Sequence, residues 1–307
     1  MAKFSNYLKT EKGDDRAYVD MHNLKTLWIN TGTLCNIQCQ NCYIESSPKN
    51  DRLVYITHAE VCEYLDETAV ENMGTNEVGI TGGEPFMNPD IIKIMEECLS
   101  RGFNLITLTN AMQPMQRKRV TEGLLELKEK YGGKLTLRVS VDHFNPEIHE
   151  EERGKNTWEF MLYGLKWLSE KGFTIDIAGR TRWGEEESDL RAGYAQLFAK
   201  NKININANDR KVLVLFPEMD EKAEVPEITT DCWDILDVQP KEVMCSNSRM
   251  VVKRKGAEKP AVIACTLLAY EDEFEFAATL KESAKRVYLN HPHCAKFCVL
   301  GGGACSA

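Results

Sequence analysis

Six apolar runs, each followed by an amphipathic or polar stretch, occupy residues 25–216 and constrain the fold more than any other feature of this chain. They fall at 25–31, 76–80, 103–109, 134–141, 173–179 and 211–216. Strands separated by helical crossovers pair in parallel, because each crossover returns the chain to the same end of the sheet. The pattern therefore predicts the α/β class: an open, partial (β/α)6 TIM-like barrel. In such arrays ligands bind where loops converge at the C-terminal strand ends. Every polar motif here falls at such an end. Cys35, Cys39 and Cys42 follow the first run, Gly82-Gly83-Glu84-Pro85 the second, and Thr109-Asn110 the third. Ser140 and Asp142 close the fourth, and Gly179-Arg180 the fifth.

The helices between the runs carry start signals. Thr57 with Glu60 and Asn156 with Glu159 have capping-box spacing, and Asn88-Pro89 reads as an N-cap followed by proline in the first turn. Trp158, Met161, Leu162, Leu165 and Leu168 recur at helical spacing and are expected in the core. Cys62 and Cys98 lie inside such helices and are expected to pack as small hydrophobes, not as ligands.

The cysteine run Cys-Asn-Ile-Gln-Cys-Gln-Asn-Cys from Cys35 to Cys42 sets three thiols close together. Thiolates select iron–sulfur, zinc or copper(I). Three can hold three irons of a four-iron, four-sulfur cube, leaving one iron without a protein ligand. A structural zinc site would call for a fourth ligand and paired CxxC knuckles, and no CxxC partner follows nearby. Clustered cysteine in a reducing compartment points to metal or redox chemistry. Of 11 cysteines, six lie between Cys232 and Cys305.

The CxxxCxxC run and the Thr81-Gly82-Gly83-Glu84-Pro85 stretch, in that order on alternating strands and helices, resemble the radical S-adenosylmethionine (SAM) superfamily over roughly residues 25–216. The resemblance implies a SAM-binding [4Fe-4S] cluster on Cys35, Cys39 and Cys42, with Gly82, Gly83 and Glu84 meeting the methionine moiety. It makes Asn110, Ser140 and Arg180 candidates for the ribose hydroxyls and carboxylate of SAM. The family often places an aromatic residue just before the third cysteine to meet the adenine; here that position is Asn41, with Tyr43 after the cysteine instead. The implied reaction is reductive cleavage of SAM to a 5′-deoxyadenosyl radical, fed by an electron donor such as flavodoxin or ferredoxin.

Residues 1–24 read as an N-terminal extension and 25–216 as the barrel. Residues 217–240, with three prolines and eight acidic residues against one lysine, form a linker with a short helix around Cys232–Leu236. Residues 241–307 form a small C-terminal unit. There, Met250–Lys253 and Ala261–Leu268 predict a hairpin, followed by a helix near Glu273–Arg286 and a loop carrying His291, His293, Cys294 and Cys298. This unit resembles the twitch appendage of the SPASM/twitch branch, implying one auxiliary [4Fe-4S] cluster on Cys245, Cys265, Cys294 and Cys298, with zinc as the alternative metal. Cys232 and Cys305 stay unassigned; a thiol such as Cys305 could donate hydrogen to a substrate radical. His291 and His293 are either ligands or loop residues.

The net charge of -9 argues against broad phosphate-backbone binding, so no nucleic-acid partner is expected. Met1–Thr10 lacks the apolar core of a signal peptide and no 18-residue apolar run occurs, so neither membrane partner nor export is expected and the location is read as cytoplasmic. The leading expectation is an oxidoreductase or epimerase acting on a small polar metabolite, such as a sugar, cyclitol or aminoglycoside-like alcohol. Asp142, His143, Arg180 and Arg182 are its candidate substrate-facing groups. Only about 34 residues precede Cys35, which weighs against the leader-binding domain of peptide-modifying relatives. Maturation of a ribosomal peptide is the second reading, and a non-catalytic iron–sulfur or zinc redox sensor the third.

Overall fold

The computed structural model describes residues 2–218 and 224–302. In chain order the elements are β1 (Tyr18–Val19), β2 (Thr26–Asn30), α1 (His58–Val70), β3 (Glu77–Thr81), α2 (Ile91–Ser100), β4 (Asn104–Thr109), α3 (Lys118–Tyr131) and β5 (Leu135–Ser140). They continue with α4 (Pro146–Arg153), α5 (Trp158–Glu170), β6 (Thr174–Arg180), α6 (Glu187–Lys200), β7 (Leu213–Phe216) and α7 (Cys232–Leu236). The C-terminal part holds β8 (Ser248–Val252), β9 (Ala261–Ile263), β10 (Glu275–Ala277), β11 (Val287–Tyr288) and a helical turn over Cys294–Val299.

All six apolar runs become strands, and β2 to β7 pair in parallel in sequence order. Successive residues of a strand face opposite sides of the sheet. On β2, Leu27 and Ile29 pack with Val78, Ile80, Val61 and Leu65 in the main core, whereas Trp28 packs with Ile106, Met250, Val252 and Ile263 in a second cluster. Gly79 sits opposite Trp28, and a Cβ there would lie 2.4 Å from the indole. The helical periodicity holds as well: Trp158, Met161, Leu165 and Leu168 are buried, and Leu162 packs partly buried against the same core.

The C-terminal hairpin joins the barrel sheet. β8 pairs in parallel with β2, and β9 and β10 follow antiparallel, giving one nine-stranded sheet that ends at β10 and β7 and does not close. Where a helix is expected over Glu273–Arg286, the chain instead makes a 3-10 turn, Asp272–Phe274, and then β10. Phe274 is buried and β10 finds hydrogen-bond partners on β9, so tertiary pairing overrides the local helix preference. The helical segment lies later, at Cys294–Val299, where a loop is expected.

Helix starts follow the sequence in part. Thr57 and Glu60 form the reciprocal capping box of α1. At α5 the expected Asn156–Glu159 box does not form: Thr157 is the cap residue, and the Glu150 carboxylate accepts from Trp158 N at 3.1 Å. α2 begins two residues beyond Pro89, and Asn88 instead turns its side chain to Asp90 N (2.8 Å) and Ile56 O (2.9 Å). The short helix of the linker is α7 as expected.

The segment before β2 is tied to the C-terminal part and to the linker. β1 pairs antiparallel with β11, and Arg16, fully buried, donates to Glu227 of the linker at 2.5 Å. Among the described residues no helix is long and apolar enough to cross a membrane.

One contact tests this packing. Gly164 of α5 lies against the loop after β4, where a Cβ would sit 1.8 Å from Ala111 O. Alanine normally favours a helix over glycine, yet Gly164→Ala should lower the unfolding free energy by about 1–3 kcal/mol through overpacking. Urea denaturation reads the sign; a stabilised variant would contradict the packing.

Candidate active site

The loop after β2 and the turn after β3 are fastened backbone to backbone. Thr31 N donates to Thr81 O (2.8 Å), Gly83 N to Gly32 O (2.7 Å) and Glu84 N to Leu34 O (3.2 Å). A Cβ on Gly83 would lie 2.2 Å from Leu34 O, and one on Gly82, whose φ is +149°, 2.7 Å from Gly32 O. The close approach that these glycines permit is thus to the main chain of the cysteine loop, where the sequence reading expected a ligand.

Above this seam opens a cleft of about 630 Å³ lined by Cys35, Cys39, Cys42, Tyr43, Gly82, Gly83, Asn110, Ser140, Arg153 and Arg180, among others. Six of the seven residues expected to meet SAM are in this wall. The seventh, Glu84, lies behind it. Its buried carboxylate accepts from Asn110 N (2.9 Å), Phe86 N (3.2 Å) and Thr109 Oγ1 (3.0 Å), bracing the ends of β3 and β4 against each other. Burial pushes its pKa up to about 7 despite these donors. Asn110 is set beside the first cysteine: its Nδ2 donates to Asn36 Oδ1 at 2.9 Å and lies 3.9 Å from Cys35 Sγ.

Two buried acids behind the cleft organise the arginines. Asp142 is buried and takes two bonds from Arg153 (2.5 and 3.0 Å) and one from Arg180 Nε (3.3 Å). Burial alone would raise its pKa, but the two guanidiniums hold it well below the usual carboxylate range. Asp142, expected to face substrate, is a counter-ion that positions Arg153 and Arg180, and it lines the cavity that adjoins this cleft. His143 does not reach the cleft. It is buried beside Phe144 and Trp183, with Nε2 2.9 Å from Glu185 Oε1 and Nδ1 accepting from Asn145 N at 2.9 Å. The third expected catalytic residue, Cys305, lies outside the described residues.

Sequence reasoning missed α4. Asn145 caps it, Pro146 opens it, and its last turn delivers Glu152 and Arg153. Glu152 is fully buried and grips the cysteine loop: its main-chain carbonyl accepts from Gln40 N (2.8 Å), and its carboxylate from Asn41 N and Asn41 Nδ2 (both 2.9 Å). Arg182 Nη1 closes the cluster at 2.6 Å. Asn41 thus gives Glu152 a second, side-chain bond at the position where the family often has an aromatic residue. The charged run Glu150-Glu151-Glu152-Arg153 before Gly154 was the available signal.

The cleft suits an iron–sulfur group and a polar ligand that carries carboxylate or hydroxyl groups. Burial pushes the Cys35 thiol up to about 12, with Glu84 adding to the effect, and raises Cys39 as well, so loading a metal displaces protons. Arg153 and Arg180 in the wall offset the negative charge of thiolates. Among the described residues, Ser46 Oγ and Arg180 Nη1 are buried in this wall without a hydrogen-bond partner. Buried polar atoms left unpaired are costly, and a bound ligand with carboxylate or hydroxyl groups would satisfy them.

A second cavity, about 690 Å³, adjoins the first and shares Tyr43, Leu108, Ser140, Arg153 and Arg180 with it. Its remaining wall is mostly apolar, from Phe216, Pro217, Leu267, Phe297, Ala178 and Gly179, with the charged Arg138 and Asp142 also lining it. Phe216 and Phe297 stack with centroids 5.6 Å apart. Phe297 and Leu267 bring this cavity next to the C-terminal cysteines. Cys245, Cys265, Cys294 and Cys298 belong to one apolar cluster with Cys232, and Cys294 is close enough to Cys265 and Cys245 that, after burial, their charges push its thiol further up. Buried Arg249 donates to Cys245 O at 2.6 Å; its own pKa falls to about 10 through burial. His291 and His293 face each other at 4.7 Å, and burial holds His291 down to about 4.

Residues 29–187 match the family model of the radical SAM superfamily. The chain is 31% identical over 147 residues to the antilisterial bacteriocin subtilosin biosynthesis protein AlbA of Bacillus subtilis, covering 47% of this chain and 30% of that protein. It is 29% identical over 144 residues to a probable GTP 3′,8-cyclase of Methanocaldococcus jannaschii, covering 47% and 45% respectively. The chain thus matches less than half the length of these curated relatives. Among solved structures, Streptococcus suis SuiB bound to its precursor peptide SuiA superposes with a TM-score of 0.61 at 14% identity, over 86% of this chain and 64% of that one. AdoMet-bound anSMEcpe gives 0.58 at 15% identity, over 88% and 82%. At such identities these structures share the fold.

Removing Glu152 tests the grip on the cysteine loop. Glu152→Ala leaves Arg182 and the Asn41 amide without their buried partner and should cost about 3 kcal/mol of stability. Iron should also pass to a chelator several-fold faster than from wild type. Unchanged iron release would show that Glu152 does not hold the loop.

Proposed function

The chain belongs to the radical SAM superfamily, and we propose that it takes hydrogen from an apolar side chain of a peptide held in the cavity beside the cysteine cleft. When bound at Cys35, Cys39 and Cys42, the [4Fe-4S] cluster and SAM supply reductive cleavage of the sulfonium bond and a 5′-deoxyadenosyl radical. The protein's own residues bind, orient and exclude water. Arg180 Nη1 and Ser46 Oγ would meet polar groups of SAM, Asp142 and Glu152 hold the arginines and the cysteine loop in place, and Tyr43 stands between the two cavities. The four C-terminal cysteines would hold an auxiliary [4Fe-4S] cluster, as in the SPASM/twitch branch. A one-electron donor such as flavodoxin or ferredoxin would feed the chemistry.

The observation that carries the substrate class is the wall of the second cavity. Leu108, Phe216, Pro217, Leu267 and Phe297 present hydrocarbon, which favours an aliphatic or aromatic side chain over the sugar, cyclitol or aminoglycoside expected from sequence. The likeness to AlbA, a bacteriocin biosynthesis protein, supports the same class.

Deuterium transfer tests the proposal. Cluster-loaded enzyme with SAM and dithionite should yield deuterated 5′-deoxyadenosine from short peptides carrying perdeuterated leucine or tyrosine, and none from a perdeuterated polyol or from deuterated GTP. Phe297→Ala should lower the peptide-coupled rate roughly tenfold while leaving uncoupled SAM cleavage unchanged. Deuterium arriving from the polyol or from GTP would overturn the peptide reading.

A further inference from the structure

On the outer layer, away from both cavities, α1 and α2 bring three metal-ligating side chains together. His58 and Cys62 lie four residues apart on α1 and share one face. Glu97 of α2 faces them. His58 Nε2 is 3.3 Å from Glu97 Oε2 and 3.5 Å from Cys62 Sγ, and the three ligand atoms all fall within 4.8 Å of one another.

One ring nitrogen cannot serve both neighbours well. As a donor to Glu97 it offers the thiol no acceptor; as an acceptor from the thiol it sets its lone pair against the carboxylate. Arg101 also reaches the thiol, and a metal ion at the centre would serve all three ligands at once. The two distances from the imidazole also suit one: zinc bonds of about 2.05 Å to imidazole nitrogen, 2.1 Å to carboxylate oxygen and 2.3 Å to thiolate, at tetrahedral angles, separate N from O by about 3.4 Å and N from S by about 3.6 Å. The carboxylate is already braced as ligating carboxylates are. Arg101 Nε donates to Glu97 Oε1 at 2.8 Å, and Arg101 Nη1 is held in turn by Asp66 Oδ1 at 2.6 Å. The site is also reachable, since the His58 and Glu97 side chains are 35% and 28% exposed.

We propose that His58, Cys62 and Glu97 form a mononuclear zinc site, with water as the fourth ligand, that clamps α1 to α2. A mixed nitrogen, sulfur and oxygen donor set suits zinc among the common divalent cations. The site reassigns Cys62, which its position in a helix marked as a packing residue, and it is independent of the peptide reading above.

The test uses protein with its clusters loaded, so that the cluster cysteines are occupied, dialysed against Zn2+ buffered by a weak chelator. Wild type should bind one zinc more per chain than His58→Ala, Cys62→Ser or Glu97→Gln, whose affinity should fall roughly tenfold or more. X-ray absorption at the zinc edge should show one sulfur ligand, lost in Cys62→Ser. Zinc should raise the thermal midpoint of wild type and not of the variants, and iron content and 5′-deoxyadenosine formation should be the same in all four proteins, which confirms their folding. Zinc bound equally by wild type and the isosteric Glu97→Gln and Cys62→Ser variants, zinc bound only as iron is lost, or no zinc bound by wild type would each overturn the site.

Discussion

The hydrogen bonds from Gly83 N to Gly32 O and from Glu84 N to Leu34 O fasten two loops that are about fifty residues apart in sequence. Parallel pairing of β2 with β3 sets the register, with Asn30 opposite Thr81, so the next residues of each strand meet at the same height. Only glycine fits where the backbones then touch. The first cysteine follows directly from that seam, and Glu84 extends it to β4 through Thr109 and Asn110. The placement of the cleft thus depends on main-chain geometry before any side chain contributes.

Charge completes the arrangement. Asp142 and Glu152 are buried acids that would be costly alone, and Arg153, Arg180 and Arg182 compensate them. The network joins the end of α4, the end of β6 and the cysteine loop, three segments without a common core face. Removing one partner leaves an uncompensated charge, which ties the position of the cysteines to that of the arginines. Two of these residues, Arg153 and Arg180, line both cavities, the one that holds the cysteines and the one that holds Phe216 and Phe297.

The barrel was legible in the sequence because its signal is local: six apolar runs of strand length, the first five ending in a polar motif. The cleft was legible for the same reason, since parallel strands bring all their C-terminal ends together, and Cys35, Gly82, Asn110, Ser140 and Arg180 line one wall. What sequence could not show depends on long-range partners. Asp142 and His143 were expected to face substrate, but Arg153 pairs with the first and Glu185 lies against the second. Glu152 stands in a charged run that does not show its partner, because its role rests on where α4 ends relative to a loop more than a hundred residues earlier. The helix expected over Glu273–Arg286 gave way to β10 because β9 offered an open edge.

The central claim is that Cys35, Cys39 and Cys42 hold a SAM-cleaving cluster distinct from the metal of the C-terminal cysteines. Anaerobic iron and sulfide quantification with dithionite-driven SAM cleavage, on wild type and on the triple alanine variant of these cysteines, tests it most directly. The account expects about eight irons per chain falling to about four, with 5′-deoxyadenosine formation abolished. Iron unchanged by the triple substitution, or 5′-deoxyadenosine still formed, would contradict it.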